Sequence, residues 1–174
     1  MDEENDLIFL EMQKFSLWLQ LVVVFSMTLF AVIDCFALQQ MLSRQNPSEI
    51  LSIILLIICK IFLQIGIAIF FFIVKLETEV RSDGLYIRYF PLHIRYRKFT
   101  KEDLSDYYTR TYRPILEYGG WGIRYGFRKR SGKAYNVSGN KGVQFIFKNG
   151  KRLLIGSQKS DELAEAIQSI MKSS

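Results

Sequence analysis

Residues 51–74 read LSIILLIICKIFLQIGIAIFFFIV, an apolar run interrupted by one charged side chain, Lys60. As an α-helix this run is about 36 Å long at about 1.5 Å per residue, whereas the hydrocarbon core of a bilayer is about 30 Å thick. The run therefore predicts a membrane-spanning helix. Only Lys75 separates it from the strand-like sequence LETEVR, so the next domain is expected to lie close to the membrane surface.

A second apolar run precedes this one at residues 17–38. The loop between the two runs ends in NPSE at 46–49, a pattern typical of a helix start, because Asn caps the helix and Pro fits its first position. The sequence therefore predicts a transmembrane helical hairpin over residues 17–74, with spans 17–38 and 51–74.

Residues 1–16 form an acidic N-terminal segment with short apolar patches. The segment lacks the basic start and the small-residue cleavage site of a secretory signal, so we expect it to be retained. Two interpretations stay open for it. It is either a mobile tail or a short interfacial helix whose apolar residues are Leu7, Ile8, Leu10, Met12 and Phe15.

Positive charge is concentrated after the second span. Residues 75–174 hold twenty Lys and Arg against ten Asp and Glu, whereas residues 1–74 hold three against seven. Because Lys and Arg near the span ends favour the inner side, both termini and the C-terminal domain are expected in the cytoplasm of a multi-pass cell-membrane protein. Each suitably placed Lys or Arg close to an anionic leaflet contributes about 1 kcal/mol of attraction.

Nucleic acid is the competing partner for such a basic domain. The sequence shows no helix-turn-helix pattern, no zinc-ligand spacing and no RNP-like aromatic motif. We therefore expect a membrane or protein partner and no nucleic acid.

From residue 76 the sequence changes to short alternating segments separated by turn signals, which predict paired β-strands. One Tyr- and Thr-rich strand is expected over 106–113 and ends at Pro114, and a glycine-rich connection follows at 117–122. The last stretch, 160–171, has the apolar spacing of an amphipathic helix. The predicted fold class is an α+β membrane protein, in which the hairpin precedes a small antiparallel β-barrel, residues 75–174, capped by a C-terminal helix.

Two stretches of this domain resemble a known fold family. SDGLYIRYFP (82–91) and GKAYNVSGNKGVQFIFKNGKRLLIGSQKSDELAEAI (132–167) are similar to the bacterial pleckstrin-homology-like (PH-like) families found next to transmembrane helices. The resemblance covers roughly residues 76–171, and the hairpin ahead of it is similar to membrane proteins of unknown function with that layout. It implies a PH-like barrel, although fold does not fix function. It does not imply phosphoinositide specificity, because the Lys-Xn-Arg motif of the PH domains that bind phosphoinositides does not align with this sequence.

One predicted strand hairpin carries four cations at its tip, and these are the candidate contacts for an anionic lipid or a partner: Arg128, Lys129, Arg130 and Lys133. Cationic side chains at a strand tip reach lipid phosphates without burying charge. The alternative interpretation is a solvated turn whose charges only aid solubility.

Asp34 and Lys60 are the two charges at membrane depth, where ionisable residues are a functional hypothesis by default. Three interpretations stay open: a proton or ion relay, an intramolecular pair that fixes the hairpin register, and a contact of Lys60 with another subunit. Two spans with two charges form a poor transport path, so the relay is the least favoured.

The sequence offers little for catalysis. His93 is the only histidine, and Cys35 and Cys59 both lie in the apolar runs, so neither a metal site nor a nucleophile dyad is expected. We expect no cofactor and no enzymatic activity.

The sequence therefore predicts a non-enzymatic membrane-anchored interaction module, which holds a basic domain at the cytoplasmic membrane face to bind a protein partner, a second copy or anionic lipid. The alternative is a structural or regulatory subunit of a larger membrane complex assembled through the transmembrane helices.

Overall fold

The computed structural model of the protein describes residues 7–42, 47–128 and 131–172. The chain divides into a helical unit, Phe15–Ile73, and a β domain that combines the N-terminal strand with the chain from Val74 onward. The elements in chain order are β1 (Leu7–Lys14), α1 (Leu17–Leu42), α2 (Pro47–Ile73), β2 (Lys75–Arg81), β3 (Gly84–Phe90), β4 (Arg97–Thr100), a 3₁₀ turn (Lys101–Asp103), β5 (Leu104–Thr111), α3 (Pro114–Tyr118), β6 (Gly122–Tyr125), β7 (Lys133–Asn136), β8 (Lys141–Phe147), β9 (Arg152–Gly156) and α4 (Ser160–Lys172).

The helical unit consists of α1 and α2, which contact each other. The segments Leu17–Gln40 and Leu51–Ile73 are each long and apolar enough to cross a membrane, by length and composition alone. Their side chains are apolar nearly all round, as expected of helices that do not present one face to a water-soluble core. The prediction of two long apolar helices is confirmed.

The β domain contains two sheets. The first has the order β1-β2-β3-β4 and is antiparallel throughout. The second has the order β5-β8-β9-β7-β6, in which β7 and β9 run parallel and the other pairs are antiparallel. The α+β class and the antiparallel strands are therefore confirmed.

The prediction of a closed β-barrel is wrong. Within the described residues the strand pairs fall into the two separate sheets, and no ladder joins one sheet to the other. The sheets instead meet through side chains: the rings of Phe99 and Phe147 lie 5.1 Å apart, and those of Tyr89 and Tyr135 lie 6.4 Å apart. Aromatic packing thus closes the core where strand pairing would close a barrel.

The C-terminal helix α4 covers this core, as predicted. It contacts β5 and β8 of one sheet and β1, β2 and β3 of the other. Leu163, Ile167 and Ile170 are buried on one face of the helix, whereas Asp161 and Glu162 lie in its first turn, where negative charge favours the helix dipole.

The N-terminal segment differs from both interpretations drawn from its sequence. Leu7–Lys14 is the edge strand β1, which pairs with β2 from Leu7 opposite Arg81 to Lys14 opposite Lys75. Its buried side chains are Phe9, Glu11 and Gln13, whereas Ile8, Leu10 and Met12 are about half exposed. The strand is therefore mainly polar inside and apolar outside.

Partners within the domain explain this inverted pattern. The Glu11 carboxylate accepts hydrogen bonds from Ser157 Oγ (2.6 Å) and from the backbone N–H of Gln158 (2.9 Å). The side-chain amide of Gln13 donates to the carbonyl of Gly156 at 2.7 Å. Because burying a polar group costs free energy unless it is hydrogen-bonded, these three bonds offset the cost of turning Glu11 and Gln13 inward.

Candidate functional site

The predicted basic hairpin is formed by β6 and β7, which pair antiparallel from Gly122 opposite Asn136 to Tyr125 opposite Lys133. Arg128 is exposed in the connection between the strands, and Lys133 is the first residue of β7. Lys129 and Arg130 lie outside the described residues. The two described cations line different cavities of the β domain.

The first of these, here called the arginine cavity, has a volume of about 530 Å³ and includes Arg128 in its wall. Among the described residues that line it are three further arginines, Arg110, Arg113 and Arg152, and one carboxylate, Glu117. Guanidinium groups present forked donors that match phosphate and carboxylate oxygens. The excess of cations over carboxylates makes this cavity complementary to an anion.

Glu117 does not neutralise the charge of all these arginines to the same extent, because both of its carboxylate oxygens already have partners. Oε2 forms an ion pair with Arg110, and Oε1 accepts a hydrogen bond from the backbone N–H of Arg113 at 2.7 Å. Arg110 also approaches the side-chain oxygen of the buried Gln144 at 3.5 Å. Arg110 is thus held in place by Glu117, whereas the guanidinium of Arg113 is exposed to solvent.

Backbone hydrogen bonds fix the hairpin against α3. The N–H of Phe127 donates to the carbonyl of Glu117 at 3.1 Å, and the N–H of Gly126 donates to the carbonyl of Gly132 at 2.9 Å. Burial raises the pKa of Tyr118 to about 12, so its phenol is neutral and donates to the carbonyl of Ser131 at 3.1 Å. The walls of the arginine cavity are therefore held by the fold.

Lys133 lines a second cavity of about 760 Å³, here called the intersheet cavity because Phe99 of β4 and Phe147 of β8 both border it. Its ammonium lies 4.8 Å from the ring centroid of Tyr135 and 5.5 Å from that of Tyr125, at cation–π distance. The charged residues along this cavity are Arg97, Lys133, Lys151, Arg152 and Asp103. Arg152 lines both cavities.

His93 lies beside this region, with its ring centroid 5.6 Å from that of Tyr135. Burial and the positive charges of Arg97 and Lys133 lower the pKa of His93 below its ordinary value, so the ring is neutral near pH 7. Its Nδ1 is buried without a hydrogen-bond partner among the described residues. In the same described part of the chain, no group of three His, Cys, Asp or Glu side chains has the arrangement of a metal site.

In the helical unit, the structure brings Asp34 and Lys60 together. Lys60 Nζ lies 2.7 Å from Asp34 Oδ1 and 5.0 Å from the ring centroid of Phe30. This is the geometry of an intramolecular pair between α1 and α2. The other carboxylate oxygen of Asp34 is buried and has no hydrogen-bond partner in the described residues.

Sequence reasoning missed most of the arginine cavity. Arg110 lies near the end of β5 and Arg113 precedes α3, whereas Arg128 and Arg152 follow 15 or more residues later, so the four meet only in the folded domain. Helix α3 does have a local signal in the sequence. Pro114 stands in its first turn, and Gly119 ends the helix in the left-handed conformation with φ 72°.

Comparison with known proteins gives a single result. The whole chain, residues 1–174, matches a protein-family model described as a family of unknown function, DUF6141. No curated protein and no solved structure matches the chain.

Proposed function

This chain belongs to the family of unknown function DUF6141, and we propose that it is a non-enzymatic, membrane-anchored interaction module that binds anionic phospholipid through its basic β domain. The observation that carries the proposal is the arginine cavity, where, among the described lining residues, Arg113 and Arg128 are exposed while the carboxylate of Glu117 is already paired with Arg110. Such a cavity favours a ligand that brings its own negative charge.

Membrane anchoring is the second part of the proposal. Two helices of sufficient length and apolarity support two spans, and only residues 15–16 and Val74 link them to strands of the β domain. Lys and Arg are scarce around the connection between the helices and frequent in the β domain, which supports a cytoplasmic domain by the positive-inside rule. In that position the cations lie on the side where anionic lipids give a negative surface potential.

A relationship to PH-like domains also belongs to the proposal. Successive antiparallel strands followed by one C-terminal helix over the core support it, although the sheets remain separate. This relationship concerns the fold alone, because one fold hosts many functions.

The test compares two variants with the same change of net charge. Arg128→Glu with Lys133→Glu reverses one cation in each cavity, whereas the control, Lys148→Glu with Lys172→Glu, reverses two exposed cations that line neither cavity. The full chain in non-ionic detergent receives phosphatidylglycerol and phosphatidylcholine, and native mass spectrometry measures the ratio of the two lipids bound.

We expect the wild type and the control to prefer phosphatidylglycerol. The hairpin variant should lose at least about tenfold of this preference, since each cation at the site contributes about 1 kcal/mol. An equal loss in both variants would mean that only net charge matters, and the proposal would then fail.

Assembly of a larger complex through the helices is the alternative function. The unpartnered carboxylate oxygen of Asp34 favours it, since a second chain could supply the missing donor. The contact between Asp34 and Lys60 argues against it, because both charges already have a partner within one chain. We therefore place lipid binding first.

A further inference from the structure

The rim of the arginine cavity carries large apolar side chains that are mostly exposed. Leu116 of α3 and Phe127 of the hairpin both line the cavity, and they are 68% and 73% exposed. Ile115, next to Leu116 in sequence, and Tyr125, two residues before Phe127, are 63% and 73% exposed. Neighbouring exposed apolar side chains of this size on a water-soluble surface mark a place where something apolar binds.

These side chains are held outward by the backbone. The hydrogen bond from Phe127 N–H to the Glu117 carbonyl joins the two segments that carry the rim. The N–H of Gly119 closes the turn of α3 onto the carbonyl of Ile115 at 2.9 Å. At Gly119 a Cβ would lie 3.2 Å from the ring of Phe127, so the aromatic ring packs closely on this glycine. The exposure of the rim is therefore a fixed feature of the fold.

Cations line the same cavity as the rim. Arg113 and Arg128 are exposed and line the same cavity as Leu116 and Phe127, while Glu117 is engaged by Arg110. Apolar side chains beside arginines match the layering of a bilayer surface, where the acyl chains begin just below the phosphates. Inorganic phosphate or a soluble anion would use the arginines and leave the apolar rim in water.

We propose that Leu116 and Phe127 insert into the acyl boundary of an anionic leaflet while Arg113 and Arg128 bind the phosphate of a glycerophospholipid in that leaflet. The inference rests on the proposed function and deepens it, because it identifies the occupant of the cavity as a lipid of the bilayer. Charge complementarity between the arginines and the phosphates, and apolar contact at the rim, select this occupant together.

The test measures the depth of the rim in the bilayer. Cys35→Ala and Cys59→Ala remove the native thiols from the full chain, and Phe127→Cys then carries a bimane fluorophore. The matched control carries the same label at Gln168, an exposed position on α4. Both proteins are placed in phosphatidylcholine nanodiscs, with and without phosphatidylglycerol, and quenching by brominated acyl chains is recorded.

We expect quenching of the label at position 127 in discs that contain phosphatidylglycerol and no quenching at position 168. Removing two cations with Arg113→Gln and Arg128→Gln should lower the ratio of inserted to free rim by about thirtyfold. The unchanged label at position 168 and an unchanged circular dichroism spectrum verify that this variant folds.

The other results separate this inference from the proposed function. An unquenched label at position 127 in a protein that still prefers phosphatidylglycerol overturns the insertion and leaves the function in place; the cavity then binds a phosphate group or a protein without entering the bilayer. If the protein shows neither quenching at position 127 nor a preference for phosphatidylglycerol, both the insertion and the proposed function are overturned. Equal quenching with and without phosphatidylglycerol shows apolar contact independent of the arginines, and the inference fails.

Discussion

Replacing Glu11 by Ala should loosen the N-terminal strand more than replacing its apolar neighbour Leu10. The Glu11 carboxylate is 7% exposed and accepts two hydrogen bonds, from Ser157 Oγ and from the backbone N–H of Gln158. Hydrogen bonds to a charged group contribute about 1.5–3 kcal/mol each. Gln158 is exposed, so water can replace its partner, and the lower value applies. The two bonds together then stabilise the docked strand by about 3 kcal/mol.

Hydrogen–deuterium exchange of the full chain in detergent micelles measures this free energy locally. A loss of about 3 kcal/mol corresponds to exchange about 150-fold faster in peptides that cover β1. Leu10→Ala is the matched control on the opposite face of the same strand. Leu10 is 52% exposed, so its truncation should change the free energy of opening by no more than about 0.5 kcal/mol.

The comparison decides between a strand that is polar inside and an apolar segment that packs inward. If Leu10→Ala accelerates exchange and Glu11→Ala does not, then the buried carboxylate does not hold β1, and our account of the inverted strand is wrong. The test also bears on fragment design. A fragment that begins at residue 76 lacks β1, so its β2 has lost the strand that pairs with it at the sheet edge.

Three further predictions concern separate parts of the chain. Burial opposes ionisation of Glu77, but hydrogen bonds from Lys75, Tyr96 and Arg88 outweigh it and hold the pKa of this carboxyl below 4.5. The contribution of Glu77 to stability is therefore present above pH 4.5 and is lost as pH falls through the folded pKa. The difference in Tm between the wild type and Glu77→Gln should therefore be largest near neutral pH and shrink in acid; a constant difference would contradict this. Gly132→Ala should lower Tm more than Gly150→Ala. Both glycines have a positive φ, 72° at Gly132 and 77° at Gly150, which costs an alanine about 1–2 kcal/mol. Of the two, only Gly132 would also place the new Cβ 2.6 Å from a backbone carbon, that of Arg152. Equal losses of Tm would show that the close approach is relieved at no cost. Lys60→Leu should destabilise the helical unit because it leaves Asp34 without its cation, and adding Asp34→Leu should restore Tm, since an apolar pair replaces a paired charge at little cost; failure of the second substitution to restore Tm would assign the charges a different role.

Most of the secondary structure followed from local patterns. The apolar runs predicted both helices of the helical unit, because a run of this length and composition is identified from neighbouring residues alone. Alternation and turn residues gave strands of the β domain, and the spacing of Leu163, Ile167 and Ile170 gave α4. The prediction of a closed barrel was wrong because alternation shows which face of a strand is buried and does not show which strand lies beside it.

For β1 the local pattern was misleading. Ile8, Leu10 and Met12 suggest an apolar face that turns inward, yet Glu11 and Gln13 occupy the inner face. The hydrogen-bonding groups that reverse this preference lie at residues 156–158, more than 140 residues away. No window of sequence contains both halves of that interaction.

The amino-acid sequence determined the composition of the two units: a pair of long apolar helices, a basic β-rich remainder and the cations of the β6–β7 hairpin. These properties depend on neighbouring residues, so they can be read along the chain. The fold alone added Arg110, Arg113 and Arg152 to Arg128 and placed Leu116 beside Phe127. Their grouping depends on how β5, α3, the hairpin and β9 come together, and long-range packing of this kind leaves no periodic signal in the sequence.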